Sequence, residues 1–264
     1  MTRVSFSRVD TWRQCPFKYK CRYIDGLPSK PDLSATNPLV LGSTLDLGIQ
    51  EGYEKAEEYY WNQYPVASDE GVLELMKIEH WLPQLRERFR RGEFQVELKT
   101  DRFIGYIDYL EGEDLLVDFK YSNNTEKYGD SAQIHVYASE LPKRPKKMAY
   151  VCIPKFFIQK KLDGESTDEY KERQAMLKDL ERNDLRAFRK YVMDEVQKLE
   201  IQTVWVEYDQ SKVDDFWRDA DAMLSATEFI PTPNDWCQYC DYKAECKGKR
   251  PHTRKPRAKT KDNN

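Results

Sequence analysis

Residues 105–124 read GYIDYLEGEDLLVDFKYSNN, and the period of this stretch decides the fold class. Apolar and polar residues alternate over 102–110 (RFIGYIDYL) and again over 114–120 (DLLVDFK), the two-residue period of a half-buried strand. EGED at 111–114 suits the turn between them. EFQVELK at 93–99 has the same period, so three strands are expected together as an antiparallel meander. Asp118 and Lys120 are two apart and leave one face of their strand. The hairpin brings Asp108 toward Asp118 at one end of the sheet. Carboxylates held together repel unless a cation lies between them, and Mg²⁺ or Mn²⁺ prefers oxygen ligands. A lysine beside such a site can hold a phosphate or orient and deprotonate a water. The plainer alternative is that all three are solvated residues on an open sheet face.

Outward from this hairpin the period becomes helical. Helices are expected over 5–25, with a Ser5 or Ser7 cap and Pro16 bending or splitting it. Others are expected over 42–61 (Ser43 or Thr44 as cap), 69–91 (kinked at Pro83), 130–141, 168–199 (one helix or a pair) and 211–226 (Ser211 as cap). MAYVCIP at 148–154 and QTVWVEY at 202–208 add strands. The expected class is α/β, a mixed central sheet flanked by helices. Gln133 and Tyr137 are four apart on one helical face and follow soon after Lys120, placed to contact a phosphate backbone or steady the lysine.

The 264-residue chain carries a formal charge of -3, which argues against a nucleic-acid binder. That sum hides an asymmetry. Residues 247–264 hold eight Lys or Arg and one Asp, a +7 tail, and leave a body of -10. The tail has no apolar anchors and is expected to be disordered. IPKFFIQKK at 153–161 interleaves aromatic and cationic side chains, as a single-strand channel requires; a buried Phe pair beside solvated lysines is the alternative. Lys143, Arg144, Lys146 and Lys147 form a further basic run, expected with the tail to supply a DNA-facing field. No segment approaches the ~20 apolar residues of a membrane span, and no signal peptide opens the chain. A cytoplasmic protein is expected.

Six cysteines occur. Cys237, Cys240 and Cys246 fall within ten residues, a spacing that points to metal. A tetrahedral site needs a fourth ligand, which Cys15 or Cys21 can supply. Zinc and an iron–sulfur cluster both suit four thiolates. Cys21 and Cys152 otherwise read as small buried residues.

The order G-x-x-D at 105–108, D-x-K at 118–120 and Q-x-x-x-Y at 133–137 resembles the PD-(D/E)XK nuclease superfamily in its RecB-like branch. The resemblance implies that Asp108 and Asp118 hold a catalytic Mg²⁺ or Mn²⁺ and that Lys120 positions the attacking water. It places Gln133 and Tyr137 next to DNA and gives Glu97 a supporting acidic position. Relatives carry G-x-x-x-H on an early helix. Here Gly42 keeps the spacing but position 46 is Asp46, an oxygen donor that can still bind the metal.

The segment SFSRVDTWRQCPFKYKCRYIDGL with C-x2-C-x5-C at the far end is similar to the iron–sulfur members of that branch, among them CRISPR-associated adaptation nucleases and AddB-type nuclease domains. That likeness selects Cys15 with Cys237, Cys240 and Cys246 as ligands of a 4Fe-4S cluster joining the chain ends. It implies one nuclease domain over 1–250. Within it lie an N-terminal helix (1–30), a core (36–227, with a helical insertion near 163–200) and a cysteine lobe (230–250), followed by the tail 251–264. The implied activity is exonuclease action on single-stranded DNA or DNA ends, in recombination, repair or phage DNA processing. A DNA-binding or partner-binding module that keeps the fold but has weakened catalysis is the alternative that Asp46 raises.

Overall fold

The computed structural model describes residues 3–246; the basic tail lies outside the described residues. The chain divides into two compact units. One is Asp32–Val213, and the other is built from both chain ends, residues up to Pro31 and from Asp214 on.

The first unit holds a sheet of β1 (Glu93–Lys99), β2 (Ile104–Glu111), β3 (Leu115–Tyr121), β4 (Lys147–Ile153) and β5 (Gln202–Val206), in that spatial order. The pairs β1–β2, β2–β3 and β4–β5 are antiparallel, whereas β3–β4 is parallel. The expected meander is thus present, and the parallel step makes the sheet mixed. A parallel neighbour needs a crossover, which here carries α6 (Glu126–Gly129) and α7 (Gln133–Glu140). β4 is buried from Met148 to Ile153, so both its faces are covered and alternation disappears from its sequence.

On one sheet face Tyr109, Val117, Phe119, Val151 and Ile153 form a core with helices α3 (Pro38–Glu51), α4 (Tyr53–Gln63), α5 (Asp69–Arg88), α8 (Thr167–Asn183) and α9 (Leu185–Val196). The 42–61 expectation becomes two helices. Asn37 caps α3, its Oδ1 accepting from Leu39 N at 3.0 Å, with Pro38 at the first helical position, the place where a missing N–H costs nothing. Thr44 is no cap: it is buried one turn in and donates to Val40 O. Gly52 (φ 105°) separates α3 from α4, a backbone conformation that side chains with a Cβ resist. Ser211 is not the cap of α10 (Gln210–Ser225) either; Asp209 Oδ1 accepts from Ser211 N at 2.9 Å. The basic run at 143–147 is also not a free field. Lys143 and Lys146 pair with Glu113 and Asp114 of the hairpin turn, and Arg144 lies over the Tyr208 ring.

In the second unit the 5–25 expectation splits at the proline. α1 (Phe6–Gln14) ends at an extended Cys15, α2 (Pro16–Tyr19) follows, and Lys20–Ile24 forms a π-helical turn. Arg13 pairs with Asp219 at 2.6 Å, and Tyr242 Oη donates to Leu27 O at 3.1 Å.

Arg173 of α8 holds the loop after β4. Its guanidinium grips Glu165 through two bonds of 2.6 and 2.8 Å and donates to Ile158 O and Lys160 O. Those bonds, with the Leu162 amide, hold the Glu165 pKa down at about 2 from a usual 4.5. A carboxyl with a lowered folded-state pKa contributes stability that is complete above its unfolded pKa and is lost as pH falls through the folded one. Glu165→Gln is therefore expected to lower the melting temperature at neutral pH, with the difference shrinking between pH 4.5 and 2. Melting curves across that range check it, and equal stability at neutral pH would refute it.

Candidate functional site

The β2–β3 ladder pairs only Tyr109–Glu111 with Leu115–Val117. One step further the same register would set Asp108 against Asp118, and there the strands part. Asp108 Oδ2 accepts the Phe119 amide at 2.9 Å, so a side chain takes the donor that a ladder carbonyl would have received. Asp118 is 1% exposed. Its Oδ2 is ion-paired with Lys120 Nζ but receives no well-directed hydrogen bond. Asp46 enters from α3.

The three acids are linked electrostatically. Burial and the charge of Asp118 raise the Asp46 pKa to about 7, against the pull of Lys120. Burial, then Asp118 and Asp46, push Asp108 well above its usual value, with Lys120 and the Phe119 amide opposing. Burial likewise raises Asp118, less so because Lys120 faces it. Burial acts to lower the Lys120 pKa, but Asp118 and Asp108 outweigh it and hold it above the ordinary lysine value. One ammonium thus serves a group of carboxyls that cannot all ionise together.

The lysine is held from behind. Lys120 Nζ donates to Gln133 Oε1 at 3.2 Å, and Gln133 Nε2 donates to Tyr137 Oη at 3.2 Å. Tyr137 in turn packs edge-on to Phe103. The glycine of G-x-x-D has a steric reason here. A Cβ on Gly105 would come within 2.9 Å of the Phe103 ring and 3.1 Å of the Tyr137 ring. Gly42 differs, since among the described residues a Cβ there would meet nothing within 4 Å beyond its own stretch of helix. It lies one turn before Asp46 on the same face of α3, leaving that approach open.

Two site residues gave no signal of their own in the sequence. Tyr150 sits beside Asp118 in the β3–β4 register and accepts the Ile134 amide at 3.2 Å, anchoring the first turn of α7. Tyr128 stacks on it at 5.3 Å between ring centres, and Lys120 Nζ lies about 6.0 Å from each ring. Only the parallel register brings β4 here. Glu97, by contrast, is exposed, accepts Tyr106 Oη at 3.3 Å, and is not among the charges acting on the aspartates. Gln95, which the β1–β2 register would set against Asp108, has φ 50°. A non-glycine residue in that region carries strain of about 1–3 kcal/mol, a feature that clusters at active sites.

In the second unit Cys15, Cys237, Cys240 and Cys246 line one cavity with Thr232 and Asn234. None is in a disulfide. The Thr232 amide donates to Cys15 Sγ at 3.4 Å and the Asn234 amide to Cys237 Sγ at 3.3 Å. Cys21 is buried in the same unit and Cys152 in β4; neither lines this cavity.

Among the described residues no three His, Cys, Asp or Glu side chains already stand in an ion-holding arrangement. The donor sets fit their groups chemically all the same. Three electrostatically coupled carboxyl groups, one with a buried oxygen that has no directed hydrogen bond, suit a hard divalent ion. Four thiols with amide donors on their sulfurs suit zinc or iron–sulfur.

The family model described as the PD-(D/E)XK nuclease superfamily matches residues 3–247. A crystal structure of a "Putative exonuclease" from Eubacterium rectale aligns at 13% identity and TM-score 0.47, covering 76% of this chain and 84% of that one. No curated protein matches the sequence significantly. No helix among the described residues is long and apolar enough to cross a membrane.

A carboxyl that holds its proton more tightly folded than unfolded costs stability as pH rises from its unfolded to its folded pKa. For Asp46 that window runs from 3.8 to about 7. Metal-free Asp46→Asn is expected to melt above wild type at and beyond pH 7, the gap closing below 3.8. Thermal melts in chelator check this, and a variant less stable at neutral pH would contradict it.

Proposed function

Because the chain belongs to the PD-(D/E)XK nuclease superfamily, we propose that it is a metal-dependent DNA exonuclease of the RecB-like kind, acting on single-stranded DNA or DNA ends. The observation that carries the reading is the meeting of Asp46, Asp108 and Asp118, from α3, β2 and β3, around one lysine. Nucleases of the superfamily generally use divalent metals such as Mg²⁺ or Mn²⁺. An ion held by the three aspartates would supply Lewis-acid polarisation of the scissile phosphate and acidify its water.

The chain's own residues do the rest. Lys120, kept protonated by its raised pKa, donates to the attacking water or a phosphate oxygen and offsets the charge that builds on the phosphate. Gln133 fixes where Lys120 Nζ points, and Tyr137 fixes Gln133. Tyr128 and Tyr150 close one side of the lysine to water. The open face of α3 at Gly42 gives a DNA backbone room to come close to Asp46. The exonuclease assignment rests on the motif set, since the geometry at the phosphate is common to both modes of cutting.

The second unit is proposed to hold a 4Fe-4S cluster on Cys15, Cys237, Cys240 and Cys246. Support comes from the shared cavity, the free thiols and the amide donors on two sulfurs. Its role would be structural, because binding energy at a multi-cysteine site is folding energy for the segments it joins.

End-labelled single-stranded DNA with Mn²⁺ or Mg²⁺ should be degraded by the wild type. Asp118→Asn and Lys120→Ala should each lower the rate at least about 10²-fold, the scale of losing one electrostatic contributor at a transition state. Wild-type protein that binds DNA yet never cuts it under either metal would leave only a binding module. Anaerobically purified protein should contain iron and acid-labile sulfide, and Cys15→Ala should lose both and melt lower. Stoichiometric zinc without sulfide would replace the cluster with a zinc site.

A further inference from the structure

The segment after β4 lies at the carboxyl ends of the parallel β3–β4 pair, the edge where open α/β sheets take their ligands. It is fastened there from two sides. Asn123, just past β3, donates through Nδ2 to Lys155 O at 2.7 Å and accepts the Lys155 amide, while Arg173 grips Ile158 and Lys160 from α8. Two features of this fastened loop remain available to a ligand, a partly exposed ring and a cation without an ion pair. Phe157 is 41% exposed, with Lys160 Nζ 4.7 Å from its ring centre. Lys155 is half-buried over the Tyr121 ring at 4.5 Å and has no ion-pair partner among the described residues. The nearby acid, Glu74, is committed to Lys77 at 2.6 Å. Burial, and after it Lys127 and Lys77, lower the Lys155 pKa against the pull of Glu74. A half-buried cation without an anion is a costly arrangement that an incoming anion relieves.

Cations and rings continue back to the catalytic lysine. Lys127 lies over Tyr128 at 4.7 Å, and Tyr128 is one of the two rings beside Lys120. Alternating ammonium groups and aromatic faces at a strand's carboxyl edge match the needs of an unpaired strand. The lysines take successive phosphates, and an exposed ring takes a base. A duplex keeps its bases inside the stack and cannot offer one to Phe157.

We propose that Lys127, Lys155 and Phe157 form a single-strand track leading to Lys120, with phosphates on the two lysines and a base stacked on Phe157. The proposal rests on the nuclease reading for its direction and on the exposed ring and the cation without an ion pair for its existence. Its product is specificity for unpaired DNA at the site.

The test measures binding rather than cleavage, using the full chain in chelator with labelled oligo(dT) and a blunt duplex of equal length. Wild type should bind oligo(dT) more tightly than duplex. Phe157→Ala should weaken oligo(dT) binding about 5- to 150-fold, the range for losing one stacked base, with duplex binding and melting temperature unchanged. Phe157→Trp should restore it. Lys127→Gln/Lys155→Gln should flatten the slope of log affinity against log salt by about 1.4, from two lost phosphate contacts on a single strand. Wild type without oligo(dT) affinity, Phe157→Ala binding as wild type, equal losses on duplex, or an unchanged salt slope would each overturn the track. Cleavage by the wild type is scored separately. An inactive wild type with these binding effects refutes the nuclease and keeps the track, while an active enzyme without them does the reverse.

Discussion

One ammonium shared among three carboxyls is the constraint around which the first unit is arranged. Asp118 and Lys120 share a strand face, so β3 alone brings both charges together. Asp108 comes near only because the β2–β3 ladder stops one pair short and the Phe119 amide turns to its side chain. Asp46 adds a third negative group from α3. Beneath the three acids lies a buried core to which the sheet and α3, α5 and α9 contribute. Burial raises all three carboxyl pKa values, and the charges of their neighbours raise Asp46 and Asp108 further, against the pull of Lys120. This is the pattern of a site whose stability is spent on poise rather than on packing.

The supporting residues follow from the same constraint. Lys120 can face its carboxylates only if its ammonium is held in place, which Gln133 does. Gln133 needs Tyr137, and Tyr137 needs the space that Gly105 leaves. A glycine thirteen positions before Asp118 in the chain, a buried aspartate and a helical tyrosine are thus links of one chain of contacts. Tyr150 closes it by tying the first turn of α7 to β4. The strained Gln95 lies where the β1–β2 register would set it against Asp108.

Charge is where sequence and structure part most clearly. The run at 143–147 reads as a patch for DNA, yet the acidic turn Glu113–Asp114 neutralises two of its lysines across thirty residues of chain. The stretch at 153–161 reads equally as a buried Phe pair beside solvated lysines. It proves divided, with Phe156 buried and Phe157 exposed one residue on. Burial alternation along an irregular loop depends on what fastens it, here Asn123 and Arg173 from elsewhere in the chain. Local composition therefore located the cations without showing which of them remain unpaired.

Periodicity by itself determined the strands and the hairpin, because these depend on a residue's nearest neighbours in the chain; it left open whether 168–199 is one helix or two and whether Pro16 bends or splits the first helix, and the structure decided both. The D-x-K pair was legible for the same reason, since two residues apart on a strand is a local relation. Two helix starts were not: Asn37 and Asp209 displaced the expected serine and threonine caps, because capping depends on where the entering backbone turns, whereas Ser5 precedes α1 and Asp69 opens α5 as expected. Tertiary structure alone decided that β4 runs parallel beside β3, that Tyr128 and Tyr150 flank Lys120, that Glu97 stays out at Tyr106, and that four cysteines from opposite ends share one cavity. Those relations cross from one element to another, and the longest of them, between strands and between the chain ends, carry a loop-closure cost that only the packing of a complete unit meets.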